Sequence, residues 1–378
     1  MQALPLSSVV FLLAVAIAPL GAQSESKDPP PGAPWTKSFV DAQREACAAG
    51  KPIFVYSTKT YCPHCVVMEK GLLSDPKLSE LHDDVVWMYL FQDFSHSEAD
   101  RRAERVAIRF GITSWPQHFL VDPYTLDVLA DTGRSLATFE AAVAGAKVTK
   151  QTRTTTDAYL EVDRLAARLE GDEVTVDEAK RYLDHGDVVV RYRAIQRLEA
   201  TAPAEIAEAA DALLEIPHDQ TRFLVCKVLA QSGDARAKNR LEQLLRSPDG
   251  SKNPNVLRIQ AVGALARCGD AETVAVIAPF ASSGVYFNGL TGTSVDALVA
   301  IAERMPNARK AVCEVLASAF PEPEGQADER ARRACRALAQ RVHEALRIVT
   351  GEERPFPAEY DPATRKRLIE QWLIEQWR

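Results

Sequence analysis

The stretch IFVYSTKTYCPHC, residues 53–65, carries the signal from which the rest of the chain can be read. Ile53-Phe54-Val55-Tyr56 is a short β-rich run, and a helix is predicted to open near Cys62. A cysteine at a helix start meets free backbone N–H groups and the positive end of the helix dipole, and both favour the thiolate. An ordinary thiol pKa of about 8.5 falls to about 3.5–7.5 in such surroundings. Pro63 suits the first helical turn, where its missing N–H has no partner to lose. His64, when protonated, adds a positive charge beside the sulfur. Cys65, one helical turn on, can attack a mixed disulfide on Cys62 and release the substrate. An inert structural disulfide stands as the alternative for this pair. A zinc site lacks a second close cysteine or histidine pair to complete it.

Outward from this stretch, residues 35–148 alternate helix and strand. Residues 36–49 read as a helix with Phe39, Val40 and Cys47 on one face. The helix opening near Cys62 is predicted to break at Ser74-Asp75-Pro76. Val85 to Phe91 reads as a strand and residues 97–110 as a helix. Gln117 to Asp122 and Thr125 to Leu129 form a predicted hairpin through Asp122-Pro123, and residues 135–147 a closing helix.

These residues resemble the thioredoxin superfamily. The resemblance rests on Trp35 through Phe39, Gly50-Lys51-Pro52-Ile53, Tyr61-Cys62, Leu73 through Pro76, and Phe110 through Trp115-Pro116. It implies an α/β thioredoxin-like fold, with Cys62 as the attacking sulfur, Cys65 as the resolving one and Pro116 as a cis-proline of the substrate groove. Two positions depart from the family pattern. Most thioredoxins carry a buried Asp in the strand before the cysteines, a proton acceptor for the second thiol, and Tyr56 occupies that slot here. Trp115, before the proline, is bulkier than the usual residue and is expected to narrow the groove or shield the disulfide. The Pro-His dipeptide is similar to that of DsbA-type oxidants, which implies a thiolate-stabilised centre. His118 is read as a packed or surface residue.

After a polar linker at residues 149–156 the composition turns Ala-, Leu-, Arg- and Glu-rich with helical periodicity. Segments starting at Val190, Thr221, Leu257 and Thr293 superpose without gaps, a spacing of about 31 to 36 residues. Arg191, Arg222 and Arg258 share one column, with Ser294 in the fourth copy. Ile195, Cys226, Val262 and Leu298 share an apolar one, and Gly233-Asp234 and Gly269-Asp270 mark the same turn. The segments resemble HEAT repeats, implying an all-α helical-repeat solenoid over residues 157–350 that presents a surface to a protein partner. The column arginines are expected to make inter-helix contacts. Residues 351–378 form a capping segment whose helix places Leu368, Trp372, Leu373 and Trp377 along one stripe.

At the other end, Val9 to Leu20 is an apolar run followed by Gly21 and Ala22, which gives residues 1–22 the shape of a secretory signal peptide lacking a basic n-region. Residues 23–34 are a proline-rich leader expected to be disordered. A periplasmic or secreted location follows as the expectation, with no membrane span. Seven cysteines in 378 residues are too few for a disulfide framework, and the odd number leaves at least one unpaired. Cys47 and Cys226 fall on apolar helix faces and read as core, and a Cys313–Cys335 pair is left open. The net charge of −7 gives no support to a nucleic-acid partner. The sequence therefore points to a thiol–disulfide oxidoreductase acting on protein thiols or disulfides, with the cysteines carrying the electrons and no cofactor or metal required. The alternative is an interaction scaffold whose thioredoxin-like domain docks with little or no turnover.

Overall fold

The computed structural model describes residues 28–149, 156–232, 234–246, 254–282, 289–323 and 328–374. Residues 1–22 and Trp377, on which the signal-peptide and part of the C-terminal reading fall, lie outside them, as do residues 23–27 of the leader and Gly233. The rest of the leader, residues 28–34, is placed, with Pro30 buried and its carbonyl accepting from the Trp35 indole at 2.9 Å.

The first unit holds helices α1 (Phe39–Ala49), α2 (Pro63–Lys70), α3 (Glu98–Arg109) and α4 (Leu136–Gly145) around strands β1 (Ile53–Lys59), β2 (Val86–Gln92), β3 (Gln117–Val121) and β4 (Val128–Asp131). The strand order is β2-β1-β3-β4, with β1 and β2 parallel and the other pairs antiparallel. Alternation along β1 sorts its side chains onto two faces. Ile53 and Val55 pack with Phe39, Ala42 and Val106 of α1 and α3. Phe54 and Tyr56 pack with Met68 of α2 and Phe139 of α4. On this second face Trp35, Phe54, Trp87 and Phe139 meet ring to ring at 4.9–6.0 Å.

Two boundaries differ from the sequence reading. The helix after Cys62 ends at Lys70 and gives way to two short 3-10 turns, Leu72–Ser74 and Pro76–Leu81. The last strand starts at Val128, not Thr125. Asp122 Oδ1 accepts from the Tyr124 and Thr125 amides, and Leu126 takes a left-handed φ of 61°, so these residues are spent on the turn.

The second unit is helical: α5 (Thr156–Leu169), α6 (Val176–Lys180), α7 (Val188–Thr201), α8 (Pro203–Leu214), α9 (Asp219–Gln231), α10 (Ala235–Arg246), α11 (Pro254–Cys268), α12 (Ala271–Ala281), α13 (Gly289–Arg304), α14 (Arg309–Ser318), α15 (Glu329–Thr350) and α16 (Pro362–Ile374). The four similar segments become α7, α9, α11 and α13, which stack in one layer with α15. Helices α10, α12, α14 and α16 stack in a second. The apolar column Ile195, Cys226, Val262 and Leu298 is fully buried, as stacking requires of a face no single repeat can cover. Two of the column arginines, Arg222 and Arg258, close helix ends. Arg222 Nε donates to the Leu214 carbonyl at the end of α8, and Arg258 Nε to the Leu245 carbonyl in the last turn of α10. Ser294 instead bonds back to the Leu290 carbonyl of its own helix. Asp270 caps α12 in a box with Thr273. Cys313 and Cys335 are buried free thiols and do not pair. Leu368 and Trp372 of the C-terminal stripe are core residues, and the Trp372 indole donates to His343 Nδ1 at 3.3 Å.

The compositional change at 149–156 does not separate two independent cores. Helix α5 lays Tyr159 against Phe39 of α1, ring centroids 5.1 Å apart. Ile108 of α3 is buried in the helical core. Arg105 of α3, 2% exposed, bonds Asp163 and Glu170 at 2.7 and 3.0 Å. Arg193 of α7 reaches Glu104 and Glu170, and His218 Nε2 lies 3.0 Å from the Ile108 carbonyl. Among the described residues, no helix is long and apolar enough to cross a membrane.

Candidate functional site

The carboxyl ends of β1 and β2 and the start of β3 converge on one edge of the sheet. Gln117 opens β3 opposite Ser57, and the Thr60 amide donates to the Gln92 carbonyl. The loop carrying Tyr61 and Cys62 leaves the sheet here, and Trp115-Pro116 enters it here. The Trp115–Pro116 peptide is cis.

Cys62 is the N-cap of α2, in extended conformation, and its Sγ accepts from the Cys65 amide at 3.2 Å. Pro63 takes the first helical position. Cys62 and Cys65 form a disulfide with Cα atoms 5.2 Å apart. Both residues are buried, at 3% and 2% exposure, so a partner sulfur has a narrow approach. His64 is exposed on the turn between them. The other five cysteines are free thiols. Burial pushes Cys226 up to about 12 and Cys268 and Cys313 up to about 11, and raises Cys47 and Cys335. Chemistry that needs a thiolate is therefore disfavoured at all five.

Trp115 is held at the sheet edge. Its indole N–H donates to Gln92 Oε1 at 3.2 Å, its ring meets Phe94 edge-on at 5.7 Å, and Lys59 Nζ sits 4.7 Å from its centroid. Among the described residues, the large apolar side chains left exposed are Tyr61 (85%), Val67 (71%), Phe94 (51%) and Ile348 (48%). The first two lie on the segments around the disulfide and the third against Trp115. A cavity of about 650 Å³ lies on the opposite face, among α1, β2, α3 and α5, and no cysteine lines it.

Tyr56 fills its slot completely. Its hydroxyl lies 2.9 Å from Glu69 Oε1 and 3.3 Å from the Cys65 carbonyl oxygen. Burial, helped by the Glu69 charge, raises its pKa far beyond reach, so the phenol stays a donor. Glu69 went unnoticed in the sequence, although a carboxylate four residues after Cys65 lies on the same helix face. His118 stands opposite Tyr56 in the sheet register, with Nδ1 2.8 Å from Thr132 Oγ1. Burial, with Arg134 nearby, lowers its pKa to about 4, which keeps it neutral at neutral pH.

Comparison with known families agrees with this arrangement. Residues 34–123 match a thioredoxin-like family model, and residues 177–253 a model of HEAT repeats. The chain is a thioredoxin-like domain followed by HEAT repeats. No curated protein matches it. The thioredoxin-like match covers α1 through β3 and so includes the disulfide and Pro116. The HEAT match covers most of α6 and the repeats from α7 to α10, while α11 to α14 continue the same stacking beyond it. Among the described residues, no group of three or more His, Cys, Asp or Glu is placed to hold a metal ion.

Proposed function

We propose that the protein is an exported thiol–disulfide oxidoreductase in which Cys62 exchanges with cysteines of protein substrates and Cys65 resolves the mixed disulfide. The observation that carries this reading is the Cys62–Cys65 disulfide at the N-cap of α2, where Cys62 Sγ already accepts a backbone N–H. The same donor and the helix dipole would hold a thiolate once the bond is reduced. His64, when protonated, adds charge from the exposed side, and Trp115-Pro116 forms the wall against which a substrate segment lies. Export rests on the apolar run Val9 to Leu20. The HEAT repeats, stacked into a continuous surface, recruit the protein partner.

A second reading is favoured by the burial of both cysteines: a docking module with a structural disulfide and little turnover. The reduction potential separates the two. Equilibration of the full-length protein with glutathione buffers should give a reversible couple between about −120 and −270 mV, the span of catalytic dithiols. A couple below about −300 mV marks a structural bond and overturns the oxidoreductase reading.

A further inference from the structure

The family's usual proton acceptor for the second cysteine is replaced by a phenol that stays protonated, so Cys65 needs another base. We propose that Glu69 is the acid–base residue that serves Cys65, with Tyr56 as its positioning partner. This rests on the oxidoreductase reading above and names a residue for one step of it.

Three features support the assignment. Helical side chains lean toward the helix N-terminus, so Glu69 reaches back over the turn that carries Cys65. The carboxylate is half-buried and held by the Tyr56 hydroxyl at 2.9 Å. That hydroxyl has a second acceptor, the Cys65 carbonyl at 3.3 Å. When Glu69 is ionised, the phenol donates to it. When Glu69 takes a proton, the phenol turns to the carbonyl and loses no hydrogen bond. Both protonation states are thus accommodated without leaving a buried donor unsatisfied.

Besides Glu69, the Thr58 side chain of β1 hydrogen-bonds Tyr56. Tyr89 of β2 lies 6.1 Å from the Tyr56 ring, and Trp35 of the N-terminal segment covers it at 6.1 Å without charge. His118 of β3 is neutral and turned to Thr132. On α2 itself, His64 and Lys70 are exposed.

The step balances as follows. The reduced protein attacks a substrate disulfide through the Cys62 thiolate, forming a mixed disulfide and releasing one substrate thiolate. The Cys65 thiol passes its proton to Glu69 and attacks Cys62 Sγ. The Cys62–Cys65 bond forms, the second substrate sulfur leaves as a thiolate, and the Glu69 proton returns to it or to solvent. In the opposite direction Glu69 protonates the departing Cys65 sulfur.

A dipyridyl disulfide probe reads the two attacks separately, because each releases one equivalent of thiopyridone from the reduced full-length protein. In Glu69→Gln the first release is expected to keep its rate. The second should slow at least about tenfold at neutral pH, below the usual gain from general acid–base groups, and its pH profile should move upward. An unchanged second release with an unchanged pH profile overturns the assignment. If circular dichroism shows that Glu69→Gln does not fold, Tyr56→Phe decides by the same two readouts. Absence of the first release from the wild-type protein is a different result: it counts against the oxidoreductase reading itself.

Discussion

Arg105 Nε of the thioredoxin-like domain lies 2.7 Å from Asp163 Oδ1 of α5, 58 residues further along the chain. The guanidinium is 2% exposed and also meets Glu170 and Glu98. Burial works against its charge, but the Asp163 hydrogen bond and the Glu170 charge outweigh that and hold it protonated. Glu170 also bonds Arg193 of the first repeat helix at 3.0 Å. One carboxylate therefore joins α3, α5 and α7. The α/β unit and the first repeat helix are tied together at this point.

Removal of that carboxylate should destabilise both units together. Glu170→Ala leaves Arg105 and Arg193 buried with fewer partners, and breaking one side of a buried pair costs about 3–5 kcal/mol. The remaining contacts of Arg105 to Asp163 and Glu98 place the expected loss near the lower figure, about 3 kcal/mol. Denaturant unfolding followed by tryptophan fluorescence and by far-ultraviolet circular dichroism should show a single, shifted transition. Two transitions, with only one of them moved, would show that the units unfold independently.

A chain ending at Lys150 should fold poorly for the same reason. It lacks Tyr159, which covers Phe39, and it exposes Ile108, which belongs to the helical core. A large aromatic truncated to Ala in a core costs about 3–5 kcal/mol, and loss of the whole helix removes at least that much. A chain ending after Lys180 restores α5 and should recover part of the cooperative unfolding. Comparison of their thermal melts with that of the full chain tests this, and equal melting of the shortest and the full chain sinks it.

How much of this was readable beforehand differs by element. The α/β unit was legible because each element had a local cause: β-rich residues at 53–56, proline at the first turn of α2, and proline before β3. The repeats were legible because four segments carry the same apolar column, which the stack buries completely. The joint between the units was not. Arg105, Asp163, Glu170 and Arg193 belong to no motif or column that the sequence shows, and only their meeting between α3, the end of α5 and α7 gives them a role. Glu69 was missed for a related reason, since its significance depends on a tyrosine from a different element.

The cysteines should divide sharply by reactivity. In the reduced native protein at neutral pH, Cys62 should alkylate first with a small reagent such as iodoacetamide. Cys226, Cys268 and Cys313 are raised to about 11–12 by burial and should stay unmodified until the chain unfolds. Peptide mapping by mass spectrometry after timed exposure reads this directly. Equal labelling of Cys62 and Cys226 would contradict the assignment of Cys62 as the exchanging sulfur.

Replacement of His64 should shift the redox couple. The imidazole is exposed beside Cys62, and its protonated form favours the thiolate of the reduced state. His64→Pro removes that stabilisation, so the couple should become more reducing, by about 30 mV for each 1.4 kcal/mol lost. Redox titration of both proteins gives the difference. An unchanged or more oxidising mutant contradicts this role for His64.

His118 supplies a pH dependence whose sign is fixed by its burial. Folding holds its pKa at about 4, against 6.5 for the unperturbed side chain, so the unfolded chain binds the extra proton between those values. Its stabilising contribution is complete above about pH 6.5 and is lost as pH falls toward about 4, at roughly 1.4 kcal/mol per unit. The full loss is on the order of 3 to 3.5 kcal/mol. Carboxylates with lowered values, Asp122 among them, add to acid unfolding but only at lower pH. His118→Asn keeps a polar group near Thr132 Oγ1 and removes the titration. The wild-type protein should therefore lose more unfolding free energy than His118→Asn between pH 7 and pH 4.5. Urea midpoints at the two pH values give the comparison, and parallel losses in both proteins would show that His118 is solvated rather than buried.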